Sequence, residues 1–347
     1  AYNLIGDLMK KYIIIIGFFL LLFPLKIMAI QDTSKSSIVM DINSGRILYE
    51  KNSNQKRLIA STTKIMTAIV TIENIDINKK VVVGNEVLSM YGTNIYIEVG
   101  EEIKIIDLLY GLLLRSGNDA SETLAIVVSG SEKKFVELMN SKAKEIGMKN
   151  TIFKNPHGLD EKTQNYSTAA DMARLSKYAS QNKIYKKITS TKKRTVSTGE
   201  KTYLWYNRNK LLNSYSNCTG GKNGYTPSAG KTLVTTATKD HLNLTIVTLN
   251  DPNEYQTHRS LYELMFSKYK SYTIIDKNNF YIDKAFYDGE IYIKKSFTYP
   301  LTDEEINMIN TKAEIVKKAG TSKNARVGKI LIFLDNKKIG SIPIYKK

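Results

Sequence analysis

The chain has 347 residues, 42% of them hydrophobic and 10% aromatic, enough for one large domain and one small one, each with its own core. The formal net charge is +18, carried by lysines scattered along the chain, and no compact basic run or basic–aromatic interleaving marks a nucleic-acid surface. Cys218 is the single cysteine, so no internal disulfide can form, and His157, His241 and His258 lie too far apart in sequence to suggest a metal site; no cofactor is expected.

Residues 1–8 precede Met9, and Met9-Lys10-Lys11 opens a basic segment. An apolar run follows from Tyr12 to Leu25, about 14 residues, short for a membrane span and right for a signal peptide. The expected signal peptide is 9–29, with translation starting at Met9; the alternative is an uncleaved N-terminal anchor, against which Pro24 and Lys26 argue.

Ser37–Asp41 and Ile47–Glu50 are short apolar runs separated by Asn43-Ser44-Gly45, which predicts a β-hairpin. Ala60-Ser61-Thr62-Thr63-Lys64-Ile65-Met66-Thr67-Ala68 then reads as the start of a helix running to about Glu73. On a helix Ser61 and Lys64 are one turn apart on a shared face. A serine hydroxyl is a poor nucleophile unless a base takes its proton, and a lysine serves as that base only when burial or a second cation keeps it neutral. By itself Ser-x-x-Lys reads far more readily as an ordinary capped helix with a surface lysine.

Val81–Val83 and Asn94–Ile97 read as small strands and Ile106–Leu114 as a buried helix. Ser116-Gly117-Asn118 is a loop between two apolar helical stretches, where glycine permits a tight turn presenting both polar side chains. Residues 132–147 form a helix ended by Gly147. Phe153–Asp160 is a turn-rich loop, and Thr168 caps a helix running to Ala179. Thr189–Thr202 is polar and strand-like. Around Lys222-Asn223-Gly224 the chain is β-rich, with further strands over 230–237 and 244–249 and a closing helix from His258 to Phe266. Taken alone, Asn223-Gly224 suits a tight hairpin turn. After about residue 270 short strands at 280–282, 290–293, 325–328 and 329–334, then a turn at 335–338, form a separate small β domain.

Three polar motifs thus stand in order: Ser61-x-x-Lys64, Ser116-Gly117-Asn118 and Lys222-Asn223-Gly224. They resemble the penicillin-recognising serine enzymes. Their flanks, with Asn-Pro-His-Gly-Leu and Tyr166–Ala173, resemble the low-molecular-weight D-alanyl-D-alanine carboxypeptidases over about residues 35–266, and a trailing β domain is also a feature of that family. The resemblance implies an α+β catalytic domain over 30–268, an antiparallel sheet flanked by helices with a helical lobe carrying Ser116, followed by an all-β domain over 270–347. It implies a peptidoglycan stem peptide as substrate, β-lactams as covalent inhibitors, and an extracytoplasmic location. Many relatives end in an amphipathic membrane helix; none is evident in Ile342–Lys347, so a wall-zone protein is expected.

The same resemblance assigns roles. Ser61 attacks the carbonyl between the terminal D-alanines and Lys64 takes its proton. Ser116 relays a proton to the departing D-alanine. Asn118 bonds Lys64 and the substrate amide. Lys222 keeps Lys64 neutral and attracts the terminal carboxylate, beside Asn223 and Gly224. The backbone N–H groups of Ser61 and Tyr225 form the oxyanion hole. Asn223 departs from the family, which has threonine there; its amide still donates but is longer and differently angled. The family's carboxylate-binding arginine has no secure counterpart, Arg259 being the nearest. Three alternatives stand beside this reading: a class A-like β-lactamase, for which Glu161-x-x-x-Asn165 matches a deacylation motif; a D,D-endopeptidase using the same serine; and a catalytically weakened peptidoglycan binder.

Overall fold

Strict alternation of side chains along a strand lets one sheet feed two cores. In the computed structural model, which describes residues 31–199, 201–283, 287, 289–315 and 323–347, the sheet that does this is antiparallel and five-stranded. Its strands are β1 (Ser36–Asp41), β2 (Ile47–Lys51), β3 (Cys218–Thr226), β4 (Gly230–Lys239) and β5 (Leu242–Leu249), in the order β2-β1-β5-β4-β3. Every residue of β1 is buried. Ile38 and Met40 face one core with Val247 and Leu249; Val39 faces the other with Leu244 and Ile246. The expected signal peptide at 9–29 lies outside the described residues, among which no helix is long and apolar enough to cross a membrane.

The first core is helical. It contains α1 (Lys64–Asn74), α2 (Ile105–Tyr110, continued by a π-helical turn over Gly111–Arg115), α3 (Asn118–Ser129), α4 (Glu132–Glu145), α5 (Ala169–Ala179) and α6 (Lys183–Ser190). From Lys64 to Thr71 every residue of α1 is buried, the signature of a helix enclosed on all sides. Ile65 and Ile69 are completely buried, each stabilising the fold by roughly 1.5–3 kcal/mol. Against the opposite face of the sheet packs α7 (Glu254–Lys268), through Leu261, Tyr262 and Met265. Thr168 caps α5 as expected, accepting the Asp171 N–H at 3.1 Å.

Three expectations need correction or narrowing, and the turn suggested by Asn223-Gly224 taken alone gives way to the expected β-rich stretch. Residues 94–97 are not a strand: the Ile95 and Tyr96 N–H groups donate to the Asp119 carboxylate instead of to a neighbouring strand. The 189–202 stretch is the end of α6 followed by a hairpin between Lys193–Thr198 and Lys201–Tyr206. Phe280–Ile282 is irregular. Lys222-Asn223-Gly224 is no hairpin turn but lies inside β3, with Lys222 opposite Val234 and Gly224 opposite Thr232; the turn comes later, between Thr226 and Gly230.

The trailing β region has its own core of Ile293, Val327, Ile330, Ile332, Ile342 and Ile344. It is built from β6 (Lys270–Ile275) paired with β7 (Phe297–Leu301), and from β8 (Ile309–Ile315), β9 (Arg326–Leu334) and β10 (Lys337–Lys346), with Ile291–Tyr292 added beside β10. One arginine of the first hairpin reaches it. Arg46 forms a bidentate pair with Glu305 (2.9 and 2.5 Å), donates to Pro300 O (2.6 Å) and lies over the rings of Tyr269 and Tyr299.

Candidate active site

The site is assembled where the N-terminal end of α1 meets the edge strand β3. Ser61 sits in a 3₁₀ turn, Ala60–Thr63, that runs directly into α1. The turn is tight. Thr62 donates through its N–H and its hydroxyl to Ile59 O, and the Thr232 hydroxyl on β4 donates to the same oxygen. Ala60 takes φ +46°, a left-handed conformation that a non-glycine residue adopts only when its surroundings impose it.

Two glycines allow the close approach. A Cβ on Gly158 (φ +90°) would lie 2.0 Å from Ala60 O, and one on Gly224 would lie 2.8 Å from Ser61 N. Glycine at 224 therefore lets the edge strand come against the backbone amide of Ser61, a donor of the kind an oxyanion needs. Next along β3, Tyr225 is 62% exposed.

Lys64 is completely buried. Its Nζ lies 3.2 Å from Ser61 Oγ, and it donates to Asn118 Oδ1 at 2.7 Å and to His157 O at 2.6 Å. Asn118 is itself locked, because its Nδ2 donates to Tyr91 O at 2.7 Å and so turns Oδ1 toward the lysine. A neutral amine has two N–H bonds and one lone pair. With both N–H groups engaged by fixed neutral acceptors, the lone pair faces Ser61 Oγ and can accept its proton. Burial first, and the Lys222 charge second, hold the Lys64 amine well below the usual lysine range; Asp119 opposes this and Arg208 adds to it.

Lys222, 1% exposed on β3, is brought down to about 7 by burial and then by Arg208. Its Nζ donates to Asn223 O at 2.6 Å and lies 3.4 Å from Asn223 Oδ1. The asparagine thus holds the lysine from the position where the family has threonine. Ser116 is buried, in a left-handed conformation (φ +71°) that ends the π-helical turn and reverses the chain into α3. The Asp119 carboxylate, accepting N–H groups from Ile95, Tyr96 and Ala120, anchors this reversal to segment 94–97.

Lys64 thus gathers Ser61 and Asn118 by direct contact and Lys222 through its charge. Glu161 does not join them: it is exposed, and it hydrogen-bonds the Tyr91 hydroxyl. Asn165 is buried but structural. Its Nδ2 donates to Thr63 Oγ1 and Asn155 O (both 3.0 Å), while its Oδ1 accepts from Lys154 N, so it ties the 153–165 loop beneath the Ser61 turn. Arg259 is also elsewhere, donating to Ser214 O and stacking on Tyr215. The cation that sequence reasoning missed is Arg208, placed after the 201–206 strand with its Nη1 on Thr93 Oγ1 at 3.1 Å. No spacing rule links it to Ser61. The other missed participant, the His157 carbonyl, is a backbone atom of the Asn-Pro-His-Gly-Leu segment.

A serine with a buried lysine of lowered proton affinity beside it, on a sheet-and-helix frame of this kind, defines a class of serine acyl-transfer enzyme. Residues 26–253 match the D-alanyl-D-alanine carboxypeptidase family and residues 269–347 match the penicillin-binding protein 5 C-terminal domain. The chain is 34% identical over 319 residues to the D-alanyl-D-alanine carboxypeptidase DacF of Bacillus subtilis, covering 87% of this chain and 81% of that protein. It is 31% identical over 346 residues to DacA of Haemophilus influenzae, covering 90% and 84%. Penicillin binding protein 5 of H. influenzae superposes with a TM-score of 0.76 at 27% identity, over 91% of this chain and 97% of that one. The chain belongs to the serine D-alanyl-D-alanine carboxypeptidase family.

Proposed function

We propose that the protein removes the terminal D-alanine from peptidoglycan stem peptides outside the cytoplasm, through an acyl-enzyme on Ser61, and that β-lactams acylate the same oxygen. The observation that carries this is the Lys64 amine: buried, 3.2 Å from Ser61 Oγ, and held by two neutral acceptors. Ser61 Oγ passes its proton to Lys64 Nζ as the oxygen attacks the carbonyl carbon between the two D-alanines. The carbonyl oxygen becomes an oxyanion received by the Ser61 and Tyr225 N–H groups. As the tetrahedral species collapses, the proton reaches the leaving D-alanine nitrogen by way of Ser116, and Asn118 fixes the amine and the substrate amide. Lys222 and Asn223 attract the terminal carboxylate. Water then attacks the ester, with Lys64 as base, and Ser61 is regenerated.

The exposed position of Glu161 argues against the β-lactamase reading, since a deacylating base has to reach a water at the ester. Endopeptidase cleavage of cross-links would use the same serine and the same proton path. The test is D-alanine release from a synthetic pentapeptide, and from a cross-linked dimer, by wild type, Ser61→Ala and Asn223→Thr proteins, alongside covalent labelling by penicillin. Release and labelling by wild type, both lost in Ser61→Ala, are expected. A Ser61→Ala protein that still releases D-alanine would sink the acyl-enzyme. Wild type that takes the label but releases nothing, with release gained in Asn223→Thr, would identify a weakened binder.

A further inference from the structure

We propose that Glu122, Glu132 and His157 form a binding site for one divalent transition-metal ion of the zinc or manganese class. Glu122 lies on α3, Glu132 is the first residue of α4, and His157 belongs to the 153–165 loop. One donor atom from each lies within 4.8 Å of the other two. Glu122 is only 6% exposed, yet among the described residues its Oε2 has no hydrogen-bond partner. Buried carboxylates are ordinarily bonded or paired.

The donor set narrows the ion. Two carboxylates with one imidazole suit zinc or manganese, whereas magnesium and calcium favour oxygen throughout. In the metal-free chain Leu159 N–H donates to His157 Nδ1 at 3.1 Å, so the neutral ring carries its proton on Nε2. An ion taken at Nε2 moves that proton to Nδ1 and gives up the Leu159 bond; any proton held by the carboxylates goes to solvent. No step of the acyl transfer uses the ion. Its occupancy is nonetheless felt at the reaction, because the carbonyl of this same His157 accepts from Lys64 Nζ at 2.6 Å.

The experiment titrates chelator-treated full-length protein with zinc chloride and manganese chloride, by calorimetry and by thermal unfolding. Wild type, Glu122→Gln and Glu132→Gln are compared, the variants being checked for a native near-ultraviolet dichroism spectrum. One saturable site per chain is expected, with a metal-dependent rise in Tm. Either substitution should weaken binding by about tenfold or more and abolish that rise. The absence of saturable binding at millimolar metal would overturn the proposal, as would equal affinity in wild type and variants or tighter binding of magnesium than of zinc. Should Glu122→Gln fail to fold, the half-buried Glu132→Gln decides.

Discussion

Two lysines in helices of the same core have opposite fates. Lys64 opens α1 and Lys142 lies on α4, and both are largely removed from water, Lys142 with a side chain 15% exposed. Around Lys142 the acceptors are anions: Glu73 at 2.8 Å and Glu145 at 2.7 Å, with the Tyr178 hydroxyl at 3.4 Å. Burial lowers its affinity for a proton, but the Glu145 and Glu73 bonds more than reverse this, and the ammonium is held above the usual lysine range. Around Lys64 the two acceptors are an amide oxygen and a peptide carbonyl, both neutral, the third neighbour is the Ser61 hydroxyl, and the charge that acts on it most is that of another lysine. Burial alone therefore does not make a base. The charge of the acceptors decides whether a buried lysine keeps its proton.

That contrast can be broken outright by removing the amine. Lys64→Gln keeps a polar side chain but no base, and D-alanine release and penicillin acylation should both fall by about 10³-fold or more. Stopped-flow acylation measures this; a rate within tenfold of wild type would mean that another group takes the Ser61 proton.

Next in size is Asn118→Asp, which gives Lys64 the anionic neighbour that Lys142 has. A carboxylate at this distance raises the lysine pKa, and the proposed mechanism requires the deprotonated amine. The acid limb of the acylation pH profile should move to higher pH and the rate at neutral pH should fall by about 10- to 100-fold. Recovery of rate at alkaline pH separates this effect from simple misfolding.

The second buried lysine makes a smaller, thermodynamic prediction. Lys222 has a folded pKa of about 7 against an ordinary 10.5. Between those values the unfolded chain binds more protons than the native one, so stability rises with pH across the window. In Lys222→Met that contribution disappears, and the gain in urea midpoint between pH 7 and pH 9 should shrink. An unchanged slope would show that Lys222 keeps an ordinary pKa in the fold.

The smallest effect on chemistry belongs to Arg46, a cation of the Lys142 kind whose partners are Pro300, Glu305, Tyr269 and Tyr299. Arg46→Ala loses the Glu305 pair, partly exposed at 15% and 24%, together with two ring contacts. A loss of about 1–2 kcal/mol in unfolding free energy is expected, with penicillin acylation unchanged. Scanning calorimetry beside an acylation assay checks both halves.

Much of this frame was legible along the chain because it depends on neighbours in sequence. The hairpin over 36–51, the Ser61–Lys64 spacing, the Ser116 reversal and the Thr168 cap are local features with local signals. What stayed hidden depended on partners far away. Ile309–Ile315 is mostly exposed and polar, so β8 shows no apolar alternation, and only pairing with β9 makes it a strand. Asn223-Gly224 carries a turn signal, which the ladder to β4 overrides. Arg208 enters the site from a segment whose sequence contains no motif.

Which residue types were available for acyl transfer, and in what order they occur, was therefore decided by the amino-acid sequence alone. Whether Lys64 is a base or a spectator was decided only in three dimensions. Its state depends on lost hydration and on the sign of every charge nearby, and those neighbours, Asn118, His157, Arg208 and Lys222, come from separate stretches of chain that meet only when the sheet and helices close.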